Sequence, residues 1–366
     1  MRRLALTNRV LYVNPFSADL PARLSRGLAR RIWRKACNTL ACVRRAAPSL
    51  FTFSPVFLPR HGHPMIDAVN NVGLRLQIMT LARLLDLTPG VVWFENPRAA
   101  DALDWYPNAV KLYHVSDLFA ACGYTQDRVA LVRREQRLTN ACDLIVCVSR
   151  SLYEHKRSLR NRDVYYIPHG VDFQHFRYAV QHGVPAPELL GLPRPIAGYY
   201  GTLTASNDLV LLEHCARSAP DVSFVFAGTI TGGDYSVLRS LPNVRFIGQV
   251  PYERIPVLTA GFDVCLLPWQ LSEWITHCSP LKFYEYLASG RPIVSIPIPQ
   301  VIAEAGDLVS IASVPDEFLA AIRRELATDD VSRQAARVAL AARHDWDSHI
   351  QSLSTLLAAR LNPGDD

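Results

Sequence analysis

Ser279-Pro280-Leu281-Lys282-Phe283-Tyr284-Glu285-Tyr286-Leu287-Ala288-Ser289-Gly290-Arg291-Pro292 is the stretch from which the fold can be read. Ser279 is a good N-cap, Pro280 suits the first helical position, and Gly290 can close the helix in a left-handed conformation. The apolar run Val264–Leu267 precedes it and Pro292–Ile296 follows it. A short helix set between two continuous apolar strands is a βαβ unit, and such units build parallel sheets.

The same alternation extends in both directions. Strands are expected at Val10–Val13, Leu50–Phe57, Val91–Phe94, Lys111–Val115, Leu144–Val148 and Val164–Ile167. Further strands are expected at Ile196–Tyr200, Ser223–Phe226, Val244–Ile247, Val264–Leu267, Pro292–Ile296 and Leu308–Ile311. Helical patterns lie among them, at Arg128–Asn140, Asp208–Ala216 and Pro280–Ala288, and a final helical stretch covers Asp329–Leu361. Strands that are apolar throughout are buried on both faces, so the fold class is α/β with helices covering parallel sheets. Tyr178–Pro195 holds two Gly and four Pro after Gln181, which breaks regular structure repeatedly. It divides the chain into domains expected at 1–180 and 194–345, with a terminal helix over 346–361.

With 366 residues there is ample chain for two cores. The net charge of +6 is local. From Asp19 to Asp67 no acidic residue occurs between the two, while nine Lys or Arg do; the rest of the chain has 30 basic and 33 acidic residues. That distribution argues against a general nucleic-acid binder. Eight cysteines are scattered without a CxxC pair, several inside strand-like runs, and read as buried, reduced thiols of a cytosolic protein. No run is long enough to span a bilayer, and Arg2-Arg3 is not followed by the apolar core and cleavage site of a signal peptide.

Within the basic window, Ala22–Ala46 has the periodicity of an amphipathic helix. Leu24, Leu28, Ile32, Ala36, Leu40 and Val43 fall on one side, opposite Arg23, Arg26, Arg30 and Arg34. Arg31, Lys35 and Trp33 complete a set suited to an anionic membrane surface. The alternative is a surface helix packing its apolar stripe on the domain.

Chemistry concentrates at two places. Lys282 adds a cation to the first turn of the Pro280–Ala288 helix, against the helix dipole, and an anionic ligand such as a diphosphate would offset this. Glu285 lies on the same face and could accept bonds from sugar hydroxyls; a solvent-facing Lys–Glu pair is the bland alternative. The second place is Tyr113-His114-Val115-Ser116-Asp117, at the carboxyl end of a strand, where open α/β sheets bind ligands. Asp117 either acts on a ligand or caps the next helix, and Ser149 reads as a cap.

Ser-Pro-x-Lys-x-x-Glu-Tyr-x-Ala-x-Gly-x-Pro resembles the donor-binding motif of GT-B glycosyltransferases, most of all bacterial enzymes of the teichuronic acid and xanthan glucuronosyltransferase kind. Ile167-Pro168-His169-Gly170-Val171-Asp172-Phe173 with Phe176, Tyr200-Gly201-Thr202-Leu203, Val225–Gly228, Val244–Gly248 and Trp346 resemble further family segments in the same order. The resemblance implies two Rossmann-like domains facing a cleft, with a nucleotide-sugar donor bound by Gly201, Thr202, His277, Ser279, Lys282 and Glu285. Gly201 then marks a close approach to phosphate, a role compatible with that of a turn glycine. Asp117 would be the base that deprotonates an acceptor hydroxyl, with His114 as an alternative or helper. The expected acceptor is a lipid-linked saccharide at the inner face of the cell membrane, the enzyme being cytoplasmic and peripherally attached. No cofactor, metal or nucleic acid is expected.

The chain departs from the pattern twice. His277 stands where many retaining members have the first carboxylate of Glu-x7-Glu, which leaves the stereochemical outcome open. Arg2–Leu6 resembles the end of the family's first helix and Val10–Val13 its second strand, so the first strand is missing from the expected order. A truncated, non-catalytic scaffold and a nucleotide-sugar 2-epimerase are the rival readings.

Overall fold

The computed structural model describes residues 1–14, 43–58, 64–122, 128–183 and 186–362. The chain divides into two compact units, one of Met1–Tyr113, Val129–Leu144 and Ser354–Asp366, the other of His114–Arg128 and Ile145–Leu353.

In the first unit, β1 (Val10–Val13), β2 (Val43–Ala47) and β3 (Leu50–Phe53) form a sheet in the order β1-β3-β2. β1 runs parallel to β3, whereas β2 is antiparallel to it. β3 stops at Phe53, four residues before the expected end, because Ser54 is followed by Pro55, which has no N–H to give a ladder. The strand β2 is not foreshadowed by any apolar run: Val43-Arg44-Arg45-Ala46-Ala47 is an exposed edge. The amphipathic helix expected to reach Ala46 therefore does not include residues 43–46. Its remaining part, with Arg23, Arg26, Arg30, Arg31, Trp33, Arg34 and Lys35, lies outside the described residues. The helix Pro64–Leu84 follows, then β4 (Val91–Phe94), which pairs in parallel with β5 (Val110–Val115).

In the second unit, β6 (Leu144–Cys147) pairs in parallel with β7 (Val164–Tyr166). The larger sheet has six parallel strands: β8 (Ile196–Tyr200), β9 (Ser223–Ala227), β10 (Val244–Gly248), β11 (Val264–Leu267), β12 (Ile293–Ser295) and β13 (Ser310–Ile311). Their order is β10-β9-β8-β11-β12-β13. β8, β9 and β11 are buried at every position, as continuous apolar runs predict. The strand order turns about β8, with β9 on one side and β11 on the other, and the crevice beyond the carboxyl ends of two such strands is where α/β sheets bind ligands. The expected terminal helix is two helices, Val331–Ala342 and Trp346–Leu361, interrupted where Val171 bridges to Asp345.

Six cysteines lie among the described residues; all are free thiols, five of them buried. Among the described residues no helix is long and apolar enough to cross a membrane.

Candidate functional site

The helix Leu281–Ser289 begins beyond the end of β11, and Gly290 closes it at φ 74° in the left-handed region, as the sequence leads one to expect. The expected cap is different. Pro280 occupies the N-cap position and no side chain caps the helix. Ser279 is instead buried, its hydroxyl 3.4 Å from the Tyr284 hydroxyl, so the first N–H groups are left for other partners.

Lys282 folds back over the end of β8. A Cβ on Gly201 would come within 2.3 Å of the Lys282 Cε and 2.7 Å of its Nζ. Gly201 has φ 129°, a conformation that side chains rarely adopt, and its N–H donates to the Ala227 carbonyl at 2.8 Å. Gly228, at the end of β9, is constrained in turn: a Cβ there would meet the Gly201 carbonyl oxygen at 1.9 Å. Two glycines thus let the β8 and β9 turns and the lysine stem share one small volume.

The ammonium of Lys282 stands 5.5 Å from the ring centre of Tyr199 and 5.2 Å from that of Trp269. The Trp269 Nε1 donates to the Tyr199 hydroxyl at 3.2 Å, and that hydroxyl donates to the Thr202 carbonyl at 3.4 Å. The rings face the cation and hold it without neutralising it. Tyr199 and Trp269 escaped sequence reasoning. Trp269, two residues past an apolar strand, sits at a carboxyl end, which is the signal that would have found it. Thr202 itself is exposed.

Glu285 is buried and accepts a hydrogen bond from the Tyr200 hydroxyl. Burial raises its pKa, while Tyr200 and the nearby Lys282 pull it back down. Ser279 is joined to a wider polar network. The Gln300 Nε2 donates to the Tyr284 hydroxyl at 3.3 Å and to that of Tyr166 at 2.6 Å. The Tyr166 hydroxyl donates to Glu304 at 2.6 Å, and His344 faces the same carboxylate at 3.4 Å. These bonds hold Glu304 down at a pKa of about 2, His344 being the largest cause.

Asp117 follows β5. It does not cap the short turn Phe119–Ala121, whose N-cap is Leu118 without a side-chain bond. Its Oδ1 accepts from the Trp274 Nε1 at 2.9 Å, and burial raises its pKa. His114 is pushed down to about 4 by burial and is neutral near pH 7; its ring lies 6.5 Å from that of His169. His277 ends the short helix Glu273–His277, with its Nδ1 2.9 Å from the Glu273 carbonyl and its own carbonyl accepting from the Ser149 hydroxyl at 2.7 Å. Ser149 also caps the helix Arg150–Leu159, as its position predicts. Lys282, Gly201 and Glu285 are thus gathered at the ends of β8 and β11, and Asp117 stands against the helix that carries His277.

Residues 194–328, which contain this lysine, both glycines and Glu285, match the family model described as glycosyl transferases group 1. The chain is a glycosyltransferase. It is 26% identical over 295 residues to TuaH of Bacillus subtilis (strain 168), named as a teichuronic acid biosynthesis glycosyltransferase, with 73% of each chain covered. Among solved structures this transferase resembles HepE of Anabaena, crystallised with UDP and glucose, at a TM-score of 0.65 and 14% identity over 96% of this chain and 100% of that one. It also resembles the sucrose-phosphate synthase of Thermosynechococcus elongatus, at a TM-score of 0.67 and 14% identity over 97% and 99%. The fold of the transferase is GT-B, with parallel sheets of the Rossmann kind.

Proposed function

We propose that this glycosyltransferase moves a sugar from a nucleoside diphosphate donor to a hydroxyl of a lipid-linked saccharide during cell-surface polysaccharide synthesis. The observation that carries the donor is the lysine over the glycine turn. An ammonium held by two aromatic faces, beside a backbone turn with no Cβ and at the uncapped start of a helix, suits a diphosphate. Lys282 and the free N–H groups would take up the charge that develops on the departing diphosphate. Glu285 would hold the ribose or sugar hydroxyls, with His277, Ser279 and Thr202 at the margin. Asp117, with its raised pKa, would remove the acceptor proton as the new glycosidic bond forms. HepE supports a uridine nucleotide, since that protein was also crystallised with UDP-glucose.

The saccharide acceptor follows the likeness to TuaH. Peripheral attachment to the inner face of the cell membrane rests on the basic window, and an exposed apolar row on the helix Pro64–Leu84 adds to it: Met65, Val69, Val72 and Leu76, at i, i+4, i+7 and i+11. Replacing Arg26, Arg30, Arg31 and Arg34 with Gln is expected to release the protein from anionic liposomes, and unchanged co-sedimentation would sink the attachment. The donor assignment is tested by thermal shift against UDP-, GDP- and dTDP-sugars. One group should raise the melting temperature of the wild type and leave Lys282→Ala unmoved; an equal rise in the variant would remove lysine from the donor site.

A further inference from the structure

We infer that Trp274 is a positioning residue for the acceptor base: its indole N–H fixes one carboxylate oxygen of Asp117 and leaves the other to face the acceptor. The inference rests on Asp117 being the base. Trp274 Nε1 lies 2.9 Å from Asp117 Oδ1, the length of a charge-assisted bond. A carboxylate on a short loop turns freely about its χ angles; a donor on one oxygen removes that freedom and aims the remaining lone pairs.

Trp274 in turn is held from several sides. It belongs to the helix Glu273–His277, capped by Ser272, whose hydroxyl accepts from Ile275 N at 3.3 Å. The Ser149 hydroxyl donates to the His277 carbonyl at 2.7 Å, and that of Ser151 to the Thr276 carbonyl at 3.5 Å. An Arg128 nitrogen reaches both oxygens of Glu273, at 3.0 and 3.2 Å. The indole is therefore presented by a rigid turn, in the segment leading directly into the donor helix. The base is thereby set relative to the donor by a single side chain. The other titratable groups about Asp117 do not compete for its proton. Cys278 is pushed up to about 12 by burial, with Asp117 next among the causes, and His114 stays neutral.

The test uses the full-length protein with 13C-labelled Asp carboxyl carbons, the Asp117 resonance being assigned by its loss in Asp117→Asn. A bond from N–H stabilises the charged form, so Trp274→Phe is expected to raise the Asp117 midpoint by about one pH unit. An unchanged midpoint would overturn the inference. Trp274→His, which retains a ring N–H, is expected to recover part of the shift, and serves if the Phe variant folds poorly. Release of UDP from UDP-glucose in the presence of a bacterial lipid extract gives the second readout. Trp274→Phe should lower kcat about tenfold with the donor KM within about twofold, and should cost nothing further in the Asp117→Asn background. A further loss in that background would mark Trp274 as merely structural. Near-normal turnover by Asp117→Asn would remove the base itself, a failure separate from that of the Trp274 contact.

Discussion

The stem of Lys282 occupies the space that a side chain on Gly201 would need, with its Cε 2.3 Å and its Nζ 2.7 Å from the position of that Cβ. Gly201→Ala would therefore do two things. It would put a methyl group at φ 129°, at a cost of about 1–3 kcal/mol, and it would drive the ammonium away from the turn. The expected result is a melting temperature a few degrees lower and an affinity for UDP reduced about tenfold or more, read by calorimetry. Unchanged UDP affinity in a folded variant would mean that the turn does not approach the nucleotide.

Lys282→Ala separates charge from shape. Lys282 is half-exposed, so its loss costs the fold little, while a diphosphate held as proposed would lose a full countercharge. Turnover is expected to fall below detection with circular dichroism unchanged. Wild-type rates would remove the lysine from the reaction.

Much of this arrangement was written in the sequence, and the reasons differ by element. β8, β9 and β11 are continuous apolar runs, and burial on both faces leaves such runs no other stable place. Lys282 and Gly290 were legible because each conflicts with an ordinary helix interior: a cation in the first turn and a residue at positive φ at the end. β2 was not legible, since an exposed edge strand needs no apolar residues. Ser279 was read as a cap because local propensity favours it, but its hydroxyl finds Tyr284 instead, five residues on and buried. The roles of Tyr199, Trp269 and Trp274 are set by tertiary neighbours about 70 and 157 residues away, which spacing along the chain does not reveal.

In the proposed reaction the leaving diphosphate would be met by an ammonium and helix N–H groups, and among the described residues no group of three or more His, Cys, Asp or Glu is placed to hold an ion. Turnover is therefore expected to survive excess EDTA. Loss of activity restored by Mg²⁺ or Mn²⁺ would assign charge neutralisation to a metal.

Asp117→Asn should reduce turnover about 100-fold or more, because the amide cannot accept the acceptor proton. The pH profile follows from the raised pKa. The base works only when ionised, so kcat/KM should fall as the pH drops through a midpoint above the ordinary 3.8 of an aspartate. In the Asn variant that acid limb should vanish, and an acid limb that persists would belong to another group.

Stability should depend on pH through a row of aromatic side chains. His114 lies 6.5 Å from His169, His169 6.1 Å from Trp346, and Trp346 6.4 Å from His349. Burial is the largest cause holding all three histidines neutral, at about 4, about 3 and about 4, against 6.5 for a free side chain. With folded values below the unfolded one, the unfolded chain binds more protons as the pH falls from about 6.5 toward 3. Stability from these groups is thus complete above pH 6.5 and drains away across that window. Glu304, held at about 2 against 4.5, acts lower, between about pH 4.5 and 2. Thermal melts should show the histidine contribution as a decline below about pH 6.5 that begins before Glu304 takes part. His349→Gln, at a buried Nε2 with no hydrogen-bond partner, should flatten the upper part of the decline and leave the lower part in place. Melting temperatures that hold constant down to pH 4.5 would show that the histidines already carry their protons in the folded state.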